Sequence, residues 1–207
     1  MNYDRISSYQ IEAFFTDLAR FNLYKMSNYI VMPLGVHVSP KMEITLIVPN
    51  LFSLHDLIHQ PQRVNGSEDG ISLDKKILVL IELATILHTL HGLGQPTAHG
   101  SLNTHNIFVE FPLEETGKPV IKLGELELSD FKRYANMFYN YRSVSVYSAP
   151  ECLKQQKKRL DPTWQMDVYS FGLIMWELLY ETVPFDGDIN SAIEYVVKED
   201  ARPRILT

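Results

Sequence analysis

Few residues in this chain have both the type and the spacing for chemistry. His99 and Ser101 lie two positions apart, which on paper pairs an imidazole base with a hydroxyl nucleophile. No G-x-S-x-G turn surrounds the serine, and that strained elbow is what exposes such a nucleophile, so a hydrolase reading carries little weight. Glu125 and Glu127 bring two carboxylates close enough to attract a cation in principle. They read instead as a solvated, mutually repelling pair. His55 and His59 stand four residues apart on a helical stretch, but the pattern supplies no third ligand nearby. They read as a solvated face, and no metal site is expected. Cys152, directly after Pro150-Glu151, reads as a small core residue.

The His99 segment also fits another pattern. His99-Gly100-Ser101-Leu102-Asn103-Thr104-His105-Asn106 has the outline of H-R-D-L-x-x-x-N, in which the Asp accepts a substrate hydroxyl proton and the Asn holds a metal ion. Ser148-Ala149-Pro150-Glu151 resembles the A-P-E that closes an activation segment. Asp167-Val168-Tyr169-Ser170-Phe171-Gly172 and Trp176-Glu177-Leu178-Leu179 resemble a central helix, and Val183-Pro184-Phe185 the turn after it. In order and spacing the chain resembles the protein-kinase family from about Gln10 to Ile205. Its wording is closest to the tyrosine-kinase-like branch and, among degraded members, to the mixed-lineage-kinase-domain-like pseudokinases.

The resemblance implies lost chemistry. Ser101 stands at the position of the catalytic Asp, Gly100 at that of the Arg and Asn103 at that of the Lys. A neutral hydroxyl is a very poor base near pH 7. Asn106 could still hold a metal, although its amide reads better as a tie to the loop backbone. By spacing, Glu125, Leu126 and Glu127 replace D-F-G. Phe108 takes the place of a smaller apolar residue beneath adenine. No phosphate loop or strand lysine is found before Gln10. Losing a catalytic base costs about 10²–10⁴ in rate, and two or three such losses leave negligible turnover. The resemblance therefore implies no catalytic residue, no cofactor and no enzyme activity. It also implies structural roles. His99, Leu126 and Phe21 would form an apolar stack anchored by Asp167, and Asp17 would sit at the ion-pairing Glu position of a small-lobe helix. Glu151 would lack an Arg partner lying beyond Thr207.

The elements that position these residues follow from periodicity. Gln10 to Tyr24 reads as an amphipathic helix on Ile11, Phe14, Phe15, Leu18 and Phe21. Ile30 to Val36 and Ile44 to Val48 are β-type runs. A helix starts at Leu54, and Gln60 to Gly70 reads as a loop. Ser72 can cap a helix that is broadly apolar through Leu90 and should be buried. Ile107 to Phe111 and Val120 to Leu123 read as a hairpin. Met166 to Tyr180 is nearly all apolar, hence central, and Asn190 to Lys198 is a short amphipathic helix.

The fold class is therefore α+β, mainly α: a kinase-like C-lobe with a partial N-lobe. Residues 1–48 would be the partial N-lobe, 49–52 a short hinge, and 53–207 the C-lobe lacking its last helices. The net charge of −6 argues against nucleic acid or anionic membrane as main partner. No apolar run is long enough to insert into a bilayer. A single cysteine fits a reducing compartment, and the cytoplasm is the default, with the nucleus left open. Tyr134, Tyr139, Tyr141 and Tyr147, together with Ile189, Ile193 and Val196, are candidate interface residues, to be covered by a protein partner or by further sequence of the same chain. The reading is an inactive kinase-like interaction module. Its alternatives are part of an active or weakly active ATP-dependent kinase, and a structural subunit of a large assembly.

Overall fold

The computed structural model describes residues 28–32, 34–38, 44–65, 70–93, 98–110, 118–124, 144–155 and 160–205. Strands β1 (Gly35–Val38) and β2 (Ile44–Ile47) form an antiparallel pair with Gly35 opposite Ile47. Helices α1 (Leu54–His59), α2 (Pro61–Asn65) and α3 (Leu73–His91) follow. A 3₁₀ turn at Thr104–Asn106 leads into β3 (Ile107–Glu110), which pairs antiparallel with β4 (Val120–Leu123). Then come α4 (Pro150–Lys154), α5 (Trp164–Tyr180) and α6 (Ile189–Ile193), the last continued by a π turn at Glu194–Lys198. The architecture is α+β, mainly α, and helices α3 and α5 carry the core.

Each of these two helices buries one stripe. On α3 the stripe is Lys76, Val79, Leu83, Ile86, Leu87 and Leu90; on α5 it runs Met166, Asp167, Ser170, Leu173, Ile174, Glu177, Leu178. Three- and four-residue steps keep such a stripe on one face. The expectation that α3 is buried holds for one face only. Its opposite face exposes Leu73, Ile77 and Ile81 at 60%, 45% and 52%. Apolar composition alone does not distinguish a helix with two covered faces from one with a single covered face.

Glu181 ends α5 in the left-handed region (φ 53°), its amide donating to Glu177 O at 2.7 Å. Glycine usually takes such a position. Here the glutamate side chain accepts from Lys76 Nζ at 2.6 Å and ties the end of α5 to the first turn of α3.

Local chemistry accounts for the smaller elements. Ser53 and Asp56 form a reciprocal capping box that starts α1. Ser72 occupies the N-cap position of α3, but its side chain makes no capping bond. The loop expected over Gln60–Gly70 contains α2, with Pro61 at its first position, where a missing N–H costs nothing. The strand expected over Ile30–Val36 divides. Ile30 makes an isolated parallel bridge to Leu123, and the strand itself is Gly35–Val38. In the sequence Pro33 separates the two parts, and a proline has no N–H to give a ladder.

Candidate functional site

The His99–Asn106 loop lies between α3 and β3, and α5 fixes it from below. Asp167, buried at 1%, accepts the His99 amide at 2.7 Å on Oδ2 and the Gly100 amide at 2.8 Å on Oδ1. His91, at the end of α3, donates Nε2 to the same Oδ2 at 2.9 Å. A carboxylate this deep needs all of these donors, since burying it unsatisfied costs several kcal/mol. His91 carried no signal in the sequence beyond its place in the last turn of α3.

His99 is buried and braces the loop. Its Nε2 lies 2.9 Å from Gly124 O, which can only accept, so Nε2 carries the proton. Nδ1 then accepts the Ser101 amide at 3.3 Å. Both ring nitrogens therefore serve the backbone, and neither is placed to deprotonate the Ser101 hydroxyl. The His99–Ser101 hydrolase pair has no base.

Two asparagines hold the rest of the loop. Asn103 Oδ1 accepts the His105 and Asn106 amides at 2.9 and 3.1 Å, which caps the 3₁₀ turn. Asn103 Nδ2 and Asn106 Nδ2 both donate to Ser101 O, at 2.9 and 2.8 Å. The Asn106 amide ties the loop to itself, and Asn106 O accepts the Gly124 amide at 2.8 Å, joining the loop to the end of β4.

Two glycines mark tight places. Gly100 has φ +72°, and a Cβ there would lie 2.7 Å from Pro162 Cβ. The position at which the family carries an arginine is thus strained for any side chain and already filled. At Gly124 a Cβ would fall 2.6 Å from Phe108 Cε2. The half-buried Phe108 ring lies against this glycine, at the junction of β3 and β4.

A second polar cluster, which the sequence reading did not contain, surrounds Glu177. This residue is completely buried. Tyr147 OH donates to its Oε2 at 2.5 Å, Thr104 Oγ1 to its Oε1 at 3.2 Å, and His59 Nε2 to Oε1 at 2.9 Å. The two hydroxyls lie 3.0 Å apart. Burial, and then the Glu177 charge, push the Tyr147 phenol up, so it stays a donor. A glutamate on the buried stripe of an apolar helix was the available signal, because such a carboxylate must be satisfied.

The expectation of a solvated His55–His59 face is also corrected. His59 is anchored on Glu177, and the ring of His55 lies 3.9 Å from that of His105 in a stacked arrangement. Burial first, then His105 and His59, lower the His55 pKa to about 4, so it is neutral at pH 7.

Other expected residues divide into two groups. Asp17, Phe21, Glu125, Leu126, Glu127, Tyr134, Tyr139 and Tyr141 lie outside the described residues. Tyr147 and Val196, expected at an interface, are buried at 4% and 1% in this lobe's own core. Ile189 and Ile193 are half-buried, and Ile189 packs on the main core. With Ala192, which is fully buried in the core, they form a stripe that faces the lobe, and Asp188 caps the start of α6. Glu151, expected to lack its Arg partner, is exposed in the first turn of α4. Water and the helix N-terminus suit its charge there. Cys152 is half-buried, its thiol 3.6 Å from Met166 Sδ.

A buried aspartate gripping the backbone of a His-initiated loop, beneath a hairpin and beside a central helix, is the framework of a kinase C-lobe. Residues 2–205 match the family described as protein tyrosine and serine/threonine kinase, and the chain belongs to that family. It is 29% identical over 160 residues to the dual specificity protein kinase pyk3 of Dictyostelium discoideum, covering 75% of this chain and 10% of that protein. It is 31% identical over 134 residues to the serine/threonine-protein kinase TNNI3K of Mus musculus, covering 64% and 14%. With the mixed lineage kinase domain-like protein of Mus musculus it shares 26% over 168 residues, covering 79% and 32%. These relatives place it in the tyrosine-kinase-like branch. The chain thus spans about a tenth to a third of the length of these relatives.

Proposed function

We propose that this domain is a catalytically inactive kinase-like module that works by binding protein. One observation carries the reading: the loop is held in place by Asp167, yet the position of its proton acceptor is Ser101. The His99 ring offers no substitute, since both its nitrogens face backbone groups. The replacement of the metal-binding Asp by Glu125 in the sequence supports the same reading, as does Phe108 lying against Gly124 beside the expected adenine slot. An active or weakly active kinase is the second reading, favoured by relatives whose names are those of kinases.

The surface supports an interaction role. A groove between α3 and α5 is lined by Ala84, Leu87, His91, Trp164, Val168 and Phe171. Trp164 and Val168 are 49% and 52% exposed. With Leu73, Ile77 and Ile81 on α3 they give this side an apolar character suited to a protein partner or to further sequence of the same chain. No helix among the described residues is long and apolar enough to cross a membrane.

The decisive test is a phosphotransfer assay, with a thermal-shift titration of Mg–ATP. Neither the chain nor its Ser101→Asp variant transfers phosphate, and the melting temperature does not move. A rise that saturates at micromolar nucleotide favours the second reading. For the interaction role, the folded chain binds an apolar-surface dye at the exposed residues of α3 and α5 and self-associates as its concentration rises. A monomer with a sharp two-state melt and no dye-accessible apolar surface would count against it.

A further inference from the structure

We propose that His55, His59 and Glu177 form a binding site for one divalent transition-metal ion, zinc by the chemistry of its donors, which clips α1 to α5. Two imidazoles and one carboxylate are a donor set zinc takes in proteins, with a fourth position left to water. Calcium and magnesium prefer oxygen ligands and fit this set poorly.

The geometry is close to what the ion needs. His55 and His59 are one helical turn apart, so both rings leave the same side of α1. Glu177 comes from the middle of α5, 118 residues from His59. One ligand atom from each of the three lies within 4.8 Å of the other two. Ligands on a tetrahedral zinc ion are about 3.4 Å apart, given bond lengths of about 2.0–2.1 Å. On binding, the His59 Nε2 proton would pass to Nδ1 by exchange with water, freeing the Nε2 lone pair for the ion; the 2.9 Å separation from Glu177 would open slightly, and His55 would swing inward by a rotamer adjustment.

The surroundings suit a metal. Thr104 and Tyr147 donate to the two Glu177 oxygens and hold the carboxylate in one orientation, the role of outer-shell groups in metal sites. The exposed His105 ring stacks on His55, and this contact between two mobile imidazoles can re-form as His55 turns. His55 and His59 are only partly buried, which leaves an entry path. Without metal, Glu177 keeps its three donors, so the ion is a clip added to a formed fold. The site takes Thr104 and His105 from the His99–Asn106 loop as outer-shell neighbours, and the proposal does not depend on whether the domain transfers phosphate.

The test uses the untagged full chain titrated with Co²⁺ and then Zn²⁺. Co²⁺ gives visible d–d absorption that saturates at one equivalent and is displaced by Zn²⁺. Imidazole NMR of the unmodified chain with Zn²⁺ shows His55 and His59 shifting while His37 and His88 stay in place, a reading that requires no variant. His55→Asn, folded by circular dichroism, weakens binding by at least about tenfold, and His37→Asn leaves it unchanged. Absence of cobalt absorption in the folded chain overturns the proposal. So does zinc perturbation of His37 and His88 equal to that of His55 and His59, or equal affinity in His55→Asn.

Discussion

Asp167 and Glu177 sit ten residues apart on the buried stripe of α5, and they hold the molecule in different ways. Asp167 takes two backbone amides, from His99 and Gly100, and one imidazole, from His91. Glu177 takes side chains only, from Tyr147, Thr104 and His59. A grip on backbone does not depend on which side chains the gripped loop carries. Gly100 and Ser101 can therefore stand where the family has Arg and Asp while the loop keeps its path. A grip on side chains is lost when those side chains change. The first carboxylate allows chemistry to be stripped from the loop; the second commits three other residues to their identities.

The sharpest test of this difference is a pair of amide substitutions. In Asp167→Asn one of the two acceptors becomes an NH₂ group facing a backbone N–H, and neither can reverse its role. We expect a loss of about 3 kcal/mol, as for a buried charge partner removed. In Glu177→Gln the new NH₂ can face Tyr147, whose hydroxyl can turn its proton to Thr104 Oγ1, 3.0 Å away. That loss should be about 1 kcal/mol. Urea unfolding of both variants measures the gap. Equal losses would mean that the nature of the partners, backbone or side chain, does not decide the cost.

The next effect tests how far the stripped loop has adapted. Gly100→Arg restores the family residue, but at φ +72° and against Pro162. Left-handed backbone with a side chain costs about 1–3 kcal/mol, and Pro162 would have to move as well. We expect destabilisation of about 2 kcal/mol and no gain of phosphate-dependent order when Ser145 is made phosphomimetic. A neutral or stabilising Gly100→Arg would show that the loop's path is not fixed by Asp167.

The contrast also explains what could be read from sequence. The β3–β4 hairpin and α5 were legible because their signals are local: short β-type runs flanked by turn residues, and a nearly all-apolar run from Met166 to Tyr180. The loop was legible through a motif whose spacing survives its substitutions. The Glu177 cluster was not. Its partners come from three separate segments, and nothing in the spacing of His59, Thr104 and Tyr147 indicates that they converge. The exposed face of α3 was illegible for the opposite reason. Leu73, Ile77 and Ile81 look like core residues, and only the packing shows that nothing in the described residues covers them. Val196 was misplaced by the same logic, read as a bare stripe when its own lobe buries it.

The smallest expected effect concerns a third carboxylate, Asp56, which combines both kinds of grip at the surface. It accepts the Ser53 hydroxyl at 2.7 Å and the Ser53 amide at 3.2 Å, while Ser53 Oγ accepts the Asp56 amide at 3.1 Å. Partial burial acts to raise its pKa, but the two Ser53 bonds outweigh this and hold it below the usual carboxylate range. A depressed folded pKa means that the unfolded chain binds the proton more readily. The stabilisation is therefore complete above about pH 4, the unfolded value, and is lost as pH falls through the lower folded one. Ser53→Ala removes the capping box and should cost about 1 kcal/mol near neutral pH. The difference between wild type and variant should shrink as pH falls below about 4 and through the lower folded pKa of Asp56 in the wild type. If it persists unchanged at lower pH, the hydroxyl alone caps α1 and the Asp56 charge contributes nothing. Solvent around this acid should keep its effect smaller than that of either buried carboxylate on α5, which would order the three by burial as well as by partner.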